Sequence, residues 1–425
     1  MSVRLAALAA LVAVSAIAWP AYAADRLSLD DAFARVAQSH PDLRLFGARQ
    51  DILAAERDRA ALRPALTVGA SIENAFGTGE TRGLDGAELT LSLASVIERG
   101  GKLDARRTLA LSRIDALAVE REARRLDLLA EVARRYLAMV AAQRQREIAN
   151  LDIGQRQRTV AGARHRLQAG ASPESVVLTA QAALARAELD RARAEQRFTA
   201  ARQHLAALWG ERAPTFDVVV SDPTALPAIA PFATLADTLE QTPELAQFVG
   251  ERRIREARLQ LARTDAKADL DWELGFRRLQ ATDDMALIGR VSMPLGASRR
   301  AQPEIRAAEA ELTALEIERE SKGLSLYSTL AEAHGRYLTA QLEVDRLRSD
   351  VLPKLAKAEA AAERAYRAGA ISYLEWAQLQ SESTTARKQR LDAALEAQRA
   401  LIEIQRLTGE SFVTAAPERP QGDTP

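Results

Sequence analysis

Apolar and polar residues alternate with two different periods in this chain, and the two periods occupy separate segments. Period two governs four short stretches. From Leu66, the apolar positions Leu66, Val68, Ala70 and Ile72 are separated by Thr67, Gly69, Ser71 and Glu73. After a glycine-rich stretch from Gly77 to Gly86, Leu89, Leu91 and Leu93 alternate with Thr90, Ser92 and Ala94. A second pair follows much later. Leu270, Trp272, Leu274 and Phe276 alternate with Asp271, Glu273, Gly275 and Arg277, and beyond Thr282-Asp283-Asp284 the residues Leu287, Gly289, Val291 and Met293 alternate with Ile288, Arg290 and Ser292. Successive strand residues point to opposite faces, so each stretch predicts a strand with one apolar and one small or polar face. A membrane barrel wants that sorting. A soluble hairpin packed on helices gives the same pattern.

Helical periodicity fills most of the remainder. From Lys102 to about Gln168 there is no proline, and Leu126, Leu129, Ala133, Tyr136 and Val140 recur three and four apart, the seam of a coiled coil. At ~1.5 Å per residue this predicts a rod of roughly 100 Å. A second rod is expected from about Pro173 to Trp209, a third from about Pro303 to Arg367 and a fourth from Ser372 to Leu407. In the third, Ile305, Ala308, Leu312 and Leu315 repeat the seam spacing, and many seam positions are alanine, which suits closely packed helices. A shorter helix opens each half. The first is expected to be capped at Ser28, with Asp30 and Asp31 in its first turn, and to run to about Arg63, where Pro64 stops it.

The chain repeats itself. Arg135-Tyr136-Leu137 returns as Arg336-Tyr337-Leu338, Ala169-Gly170-Ala171 as Ala368-Gly369-Ala370, and Leu208-Trp209-Gly210-Glu211 as Leu407-Thr408-Gly409-Glu410. His40-Pro41-Asp42-Leu43 is matched by Thr242-Pro243-Glu244-Leu245. These offsets of 199 to 202 residues describe a duplicated half-protein rather than a solenoid of small units. The expected division is a first repeat at 24–213, with strands within about 65–96 and a helical hairpin at about 102–210. A proline-rich linker at 214–231 holds Val218-Val219-Val220 as a possible short strand. A second repeat at 232–411 has strands within about 269–295 and a hairpin at about 303–408, and a flexible tail follows at 412–425.

Composition narrows the setting. Arg4, an apolar run from Leu5 to Ala18 and Ala21-Tyr22-Ala23 form a secretory signal over 1–23, too short for a membrane helix. The sequence has no cysteine, which excludes lipidation through an N-terminal cysteine, disulfides, cysteine nucleophiles and thiolate metal sites. With 58 basic and 58 acidic residues, nothing points to nucleic acid. Past the signal no long apolar run remains, so any membrane crossing must be a closed β-barrel. Four strands cannot close one, since the smallest membrane barrels have about eight. Strands pooled from three chains would give twelve.

A signal peptide, duplicated halves, two strands per half and very long paired helices resemble the TolC family. Ile72-Glu73-Asn74 with Gly77-Thr78-Gly79, Glu98-Arg99-Gly100-Gly101-Lys102 and Val291-Ser292-Met293-Pro294-Leu295 look like its CzcC-type, heavy-metal efflux branch. The resemblance covers essentially the whole mature chain. It implies a mainly α fold with a small β part: a homotrimer whose twelve-stranded barrel crosses outer-membrane lipid and continues as a periplasmic α-helical tunnel. It implies a periplasmic adaptor and an inner-membrane pump of the RND type as partners, and cations such as cobalt, zinc, cadmium, copper or silver as cargo. A duct for drugs, organic compounds or secreted polypeptide is the alternative within that fold. A soluble periplasmic coiled-coil adaptor is the alternative outside it, though it would carry one helical hairpin rather than two in tandem.

Two phrases interrupt the long helices, Arg166 to Glu174 and Tyr366 to Ser372. Glycine at 170 and 369 ends the incoming helix, and Ser172 and Ser372 are expected to cap the outgoing ones, with Pro173 in the first turn of the first copy. Helical-hairpin turns alone explain these residues. By resemblance they form the adaptor-docking tip, made of Gly170, Ala171, Ser172, Glu174, Tyr366, Gly369, Ala370, Ile371 and Ser372. Glu375 and Gln378 stand where the family's prototype narrows its pore with two acids, so only Glu375 keeps the charge. Tyr366 matches the prototype's tip tyrosine, while Ile371 and Val176 replace an arginine and an aspartate of its latch. Neither a cofactor nor a resident metal is expected. His40, His165, His204 and His334 are scattered without ligand spacing, and no Walker loop, GxSxG or HExxH motif is present, so no enzyme is expected.

Overall fold

The computed structural model describes residues 26–219 and 222–412. The signal at 1–23, Val220 and the tail from 413 lie outside the described residues. The chain begins with β1 (Arg26–Leu27), α1 (Leu29–Ser39) and α2 (Pro41–Ala60). Ser28 caps α1 through a capping box, its hydroxyl accepting from the Asp31 N–H while the Asp31 carboxylate accepts from the Ser28 N–H. The single helix expected to run to Arg63 is two. Proline at 41 forces its predecessor out of the α region, and His40 is extended (φ −64°, ψ 127°), ending one helix while its ring caps the next.

Strands β2 (Thr67–Glu73) and β3 (Glu88–Ile97) lead into α3 (Lys102–Gln168), an uninterrupted helix of 67 residues, and α4 (Glu174–Ala206) returns along it. After β4 (Asp217–Val218) come α5 (Phe232–Thr238), α6 (Pro243–Thr264), β5 (Leu270–Leu279) and β6 (Asp284–Ser292). The third rod ends at Arg367 as expected but differs at its start and in its interior. Its helix α7 (Ala297–Arg346) starts six residues before Pro303, and α8 (Leu352–Arg367) follows a π-turn over Leu347–Val351. Proline at 353 has no N–H for the α-helical ladder, and the wider turn, in which the Leu352 N–H reaches the Leu347 carbonyl, resets it. Helix α9 (Tyr373–Thr408) closes the second hairpin.

Each half is built around the tyrosine of its Arg-Tyr-Leu phrase. Tyr136 sits among Leu27, Val36, Met139, Phe198, Leu205 and Val218. Its hydroxyl lies 2.9 Å from the Val219 carbonyl and 3.1 Å from that of Leu27, tying it to β1 and β4, which pair in parallel. Tyr337 sits among Leu239, Leu330, Leu401, Ile404 and Leu407 and donates to the Pro227 carbonyl. The proline-rich connection is thus fastened at both ends. Burial pushes both hydroxyls up to about 12, so each stays a donor at neutral pH.

Strands from both halves merge into one antiparallel sheet, in the order β2-β3-β5-β6. Its central pair joins the halves, with Leu91 opposite Phe276 and Leu93 opposite Leu274.

Candidate functional site: sheet faces and hairpin tips

The register sorts the sheet by chemistry. Val68, Leu93, Leu274 and Gly289 lie in one row across the four strands, and Ala70, Leu91, Phe276 and Leu287 in the next. Because side chains alternate, these rows share a face. That face is uncovered: Leu91 is 58% exposed, Phe276 60%, Leu287 70% and Val68 72%. An apolar patch of this extent on a soluble monomer would be a liability.

The opposite face carries charge and small residues. Arg277 donates to Glu88 at 2.6 Å and to Thr90 at 2.9 Å and lies 3.4 Å from Glu73, while Arg290 pairs with Glu273 at 3.5 Å. Between these rows lie Gly69, Ser92 and Gly275. A Cβ on Gly275 would stand 2.8 Å from the Leu91 carbonyl oxygen and 3.0 Å from the Ser92 Cβ, so only glycine lets the neighbouring strand come this close. At the junction with the rods, Lys102 donates to Asp269 at 2.7 Å, the other Asp269 oxygen accepts from the Arg99 N–H, and the Arg106–Glu98 pair lies beside them. Among the described residues the edge strands β2 and β6 have no further neighbour. Among the described residues no helix is long and apolar enough to cross a membrane.

At the far end of the rods, both hairpins turn on a left-handed glycine, Gly170 at φ 69° and Gly369 at φ 78°. The N–H of Ala171 reaches the Arg166 carbonyl and that of Ala370 the Ala365 carbonyl, each at 2.8 Å, which satisfies carbonyls left open at a helix end. The two turns differ on their outgoing side. Ser372 caps α9 in a capping box with Glu375, whereas Ser172 does not cap α4. Pro173 occupies that N-cap position in an extended conformation and has no side-chain donor or acceptor, which pushes Ser172 one residue too far back. Glu375 is exposed, and its carboxyl is held below the ordinary range by the Ser372 N–H and hydroxyl. Gln378 is also exposed and donates to Glu382. Glu174, Gly170, Ala171, Gly369 and Ala370 form the exposed rim of the turns, and Ser172 and Ile371 are half-buried.

Tyr366, by contrast, is inside. It stacks on Trp376 with ring centres 4.9 Å apart, over a small tip core that includes Val160, Val177 and Tyr373. Arg166 of the first hairpin covers its other side, the guanidinium carbon 4.8 Å from the ring centre, and donates to the Tyr366 carbonyl at 2.8 Å. Neither Arg166 nor Trp376 stands out in the sequence. Their only signal is position, Arg166 four residues before one turn glycine and Trp376 one helical turn after Ser372. Among the described residues no three potential metal ligands cluster.

The family model for outer membrane efflux proteins matches residues 33–211. The chain is 29% identical over 319 residues to the cobalt-zinc-cadmium resistance protein CzcC of Cupriavidus metallidurans, covering 74% of this chain and 75% of that protein. The chain thus resembles the outer membrane efflux proteins, and its fold is of the TolC type. The fold superimposes on the crystal structure of CusC with a TM-score of 0.76 at 18% identity, covering 90% of this chain and 92% of that one. On the outer membrane protein VceC of Vibrio cholerae the TM-score is 0.73 at 17% identity, over 91% and 97% of the two chains. The proteins it resembles are outer-membrane efflux channels and not enzymes, which places this chain in the outer membrane.

Proposed function

We propose that three copies of this efflux protein form the exit duct of a tripartite pump that exports heavy-metal cations. The observation that carries the reading is the face-sorted sheet with two open edges. In lipid each unpaired backbone group costs several kcal/mol, so β2 and β6 must find partners, and identical sheets from three chains supply them without leaving an edge. The apolar face then meets lipid and the Arg277–Glu88 face meets water. The two repeats at 24–213 and 232–411 each contribute one hairpin to the tunnel wall. The tips, with Gly170 to Glu174 and Tyr366 to Ser372, receive a periplasmic adaptor that couples the duct to an inner-membrane pump. Glu375 and Gln378 flank the mouth.

Kinship to a protein named for cobalt, zinc and cadmium resistance supports divalent cations as cargo. The test is a deletion strain scored on metal and drug plates side by side. Loss of tolerance to cobalt, zinc or cadmium, restored by the intact gene, is expected with drug tolerance unchanged. The reverse pattern would assign the duct to organic compounds. In planar bilayers, Glu375→Gln is expected to lower the preference for cations over anions.

A further inference from the structure

The tip carries a groove whose chemistry is unlike that of the rods above it. Along the rods, many basic side chains are answered by carboxylates on the same or the neighbouring helix, as Arg156 is by Asp152 and Lys388 by Asp190. In the groove between α3 and α8 that pairing is missing for two arginines that lie side by side with buried donors. Arg158 and Arg166 line it, and neither has an ion pair among the described residues. Its one acid, Glu363, is taken by Arg367. Ala161 and Gly162 form part of the wall, so a foreign backbone can approach closely. Beneath lie two further donors without acceptors: the Tyr366 hydroxyl and the Trp376 indole N–H are buried and make no hydrogen bond among the described residues. Positive charge and two spare buried donors converge here, and among the described residues no unpaired carboxylate lines the groove. Buried polar groups in native proteins are nearly always satisfied, so a cluster of orphans at an exposed end marks a surface whose partner is absent.

We infer that this groove receives an acidic side chain from the tip of the partner's helical hairpin, an Asp or Glu seated between Arg158, Arg166 and Arg367. A carboxylate offers paired oxygens to a guanidinium fork and carries the charge that the groove lacks. As Arg166 swings from the Tyr366 ring to the incoming carboxylate, it uncovers the aromatic pair and gives the phenol a route to an acceptor. The inference rests on the reading that the tips dock an adaptor, and adds the chemistry by which they select it.

The experiment uses the full-length protein, purified as its detergent-solubilised assembly, and two synthetic helical-hairpin peptides that differ only in carrying Glu or Lys at the turn. Fluorescence anisotropy should show the Glu hairpin binding at least about tenfold more tightly at low salt. The preference should shrink as ionic strength rises from about 50 to about 300 mM, where screening shortens the reach of exposed charge. Arg158→Gln combined with Arg367→Gln should abolish the preference, and Arg158→Lys should keep most of it. Equal binding of both peptides, or a preference that survives the double substitution, overturns the inference. So does a groove covered by a neighbouring subunit, which would show as no peptide binding and reduced oligomer yield in the double variant. Site-specific crosslinking in cells separates the two levels. If the double variant keeps adaptor crosslinks that Gly170→Val and Gly369→Val lose, docking at the tip stands and the acidic partner does not.

Discussion

Arg166 and Tyr366 lie 200 residues apart in the chain and meet face to face, guanidinium over ring at 4.8 Å, with the same arginine holding the tyrosine's own carbonyl. The contact crosses from the first hairpin to the second at the point where both turn. It is the fastening between the two tips within one subunit.

Arg166→Ala should therefore loosen both turns at once. A partly exposed cation–π contact is worth ~0.5–1 kcal/mol and a hydrogen bond about 1 kcal/mol, so local opening should become easier by roughly 1–2 kcal/mol. Hydrogen exchange at 166–172 and 366–372 should quicken about five- to thirtyfold, with exchange in the cores around Tyr136 and Tyr337 unchanged. Quickening confined to the first turn would mean the fastening does not couple the hairpins.

The sheet makes a sharper prediction, because its two faces differ at every row. Leu91→Arg or Leu274→Arg should cost about 2–4 kcal/mol per subunit near the bilayer midplane and reduce the assembled protein in outer-membrane fractions. Ser292→Arg, on the other face and opposite Asp271, should be tolerated. Equal tolerance on both faces would remove the lipid assignment.

At the tips, nothing lies within 4 Å of a Cβ built on Gly170, so a side chain there fits in space and fails only in backbone conformation. Valine at 170 or 369 would have to hold φ near +70°, at a cost of order 1–3 kcal/mol. The expected result is weaker adaptor crosslinking and lower metal tolerance at normal surface abundance. Unchanged crosslinking in both variants would reduce these segments to plain turns.

Tyr136→Phe and Tyr337→Phe each remove one hydrogen bond to the connection between the halves. Each should destabilise by about 0.5–1.5 kcal/mol, the net worth of an ordinary hydrogen bond. Their effects should add within about 0.5 kcal/mol, because the two cores share no member residue. Denaturant melts of the two single variants and the double variant check this, and a strongly non-additive result would show that the cores communicate.

Glu403 contributes a pH dependence through a partly buried ion-pair cluster. Burial pushes its carboxyl up, but hydrogen bonds and charge from Arg406 and Arg134 outweigh this and hold it below its ordinary value of 4.5. A carboxyl lowered in the folded state stabilises fully above the unfolded value, and that contribution fades as pH falls through the lowered one. The melting temperature should accordingly drop as pH is taken below about 4.5. Glu403→Gln should melt lower at neutral pH, by the equivalent of roughly 1–3 kcal/mol, and respond less to acid. An acid response as steep in the variant as in the parent would place the sensitivity elsewhere.

The fold class was legible because its two signals are periodic. Residues such as Leu89, Leu91 and Leu93 announce a two-faced strand, and an alanine-rich seam on a long stretch free of proline, as over 102–168, announces a rod. Features set by single residues were harder to read. Pro41 fits the first turn of a new helix as well as the end of an old one, so the break at His40 leaves no pattern. Pro353 could have warned of the π-turn, but one proline does not say whether a helix stops, kinks or widens. Ser172 looked like a cap because Ser372 is one, and the deciding residue was Pro173 beside it. The Arg166–Tyr366 contact depends on how two hairpins lie side by side, which no local period encodes. The orphan donors of Tyr366 and Trp376 became visible only with coordinates.

The pairing of β3 with β5 sets an order of events in assembly. Leu93 and Leu274 are about 180 residues apart, while the cores around Tyr136 and Tyr337 are gathered largely from their own halves. Closing so long a loop is slow, and it follows the nearer contacts. The four-stranded sheet can be completed only after the second half has reached the first. Until then neither hairpin alone presents the full apolar face, so the surface that sorts the sheet by chemistry is the last part of the chain to exist.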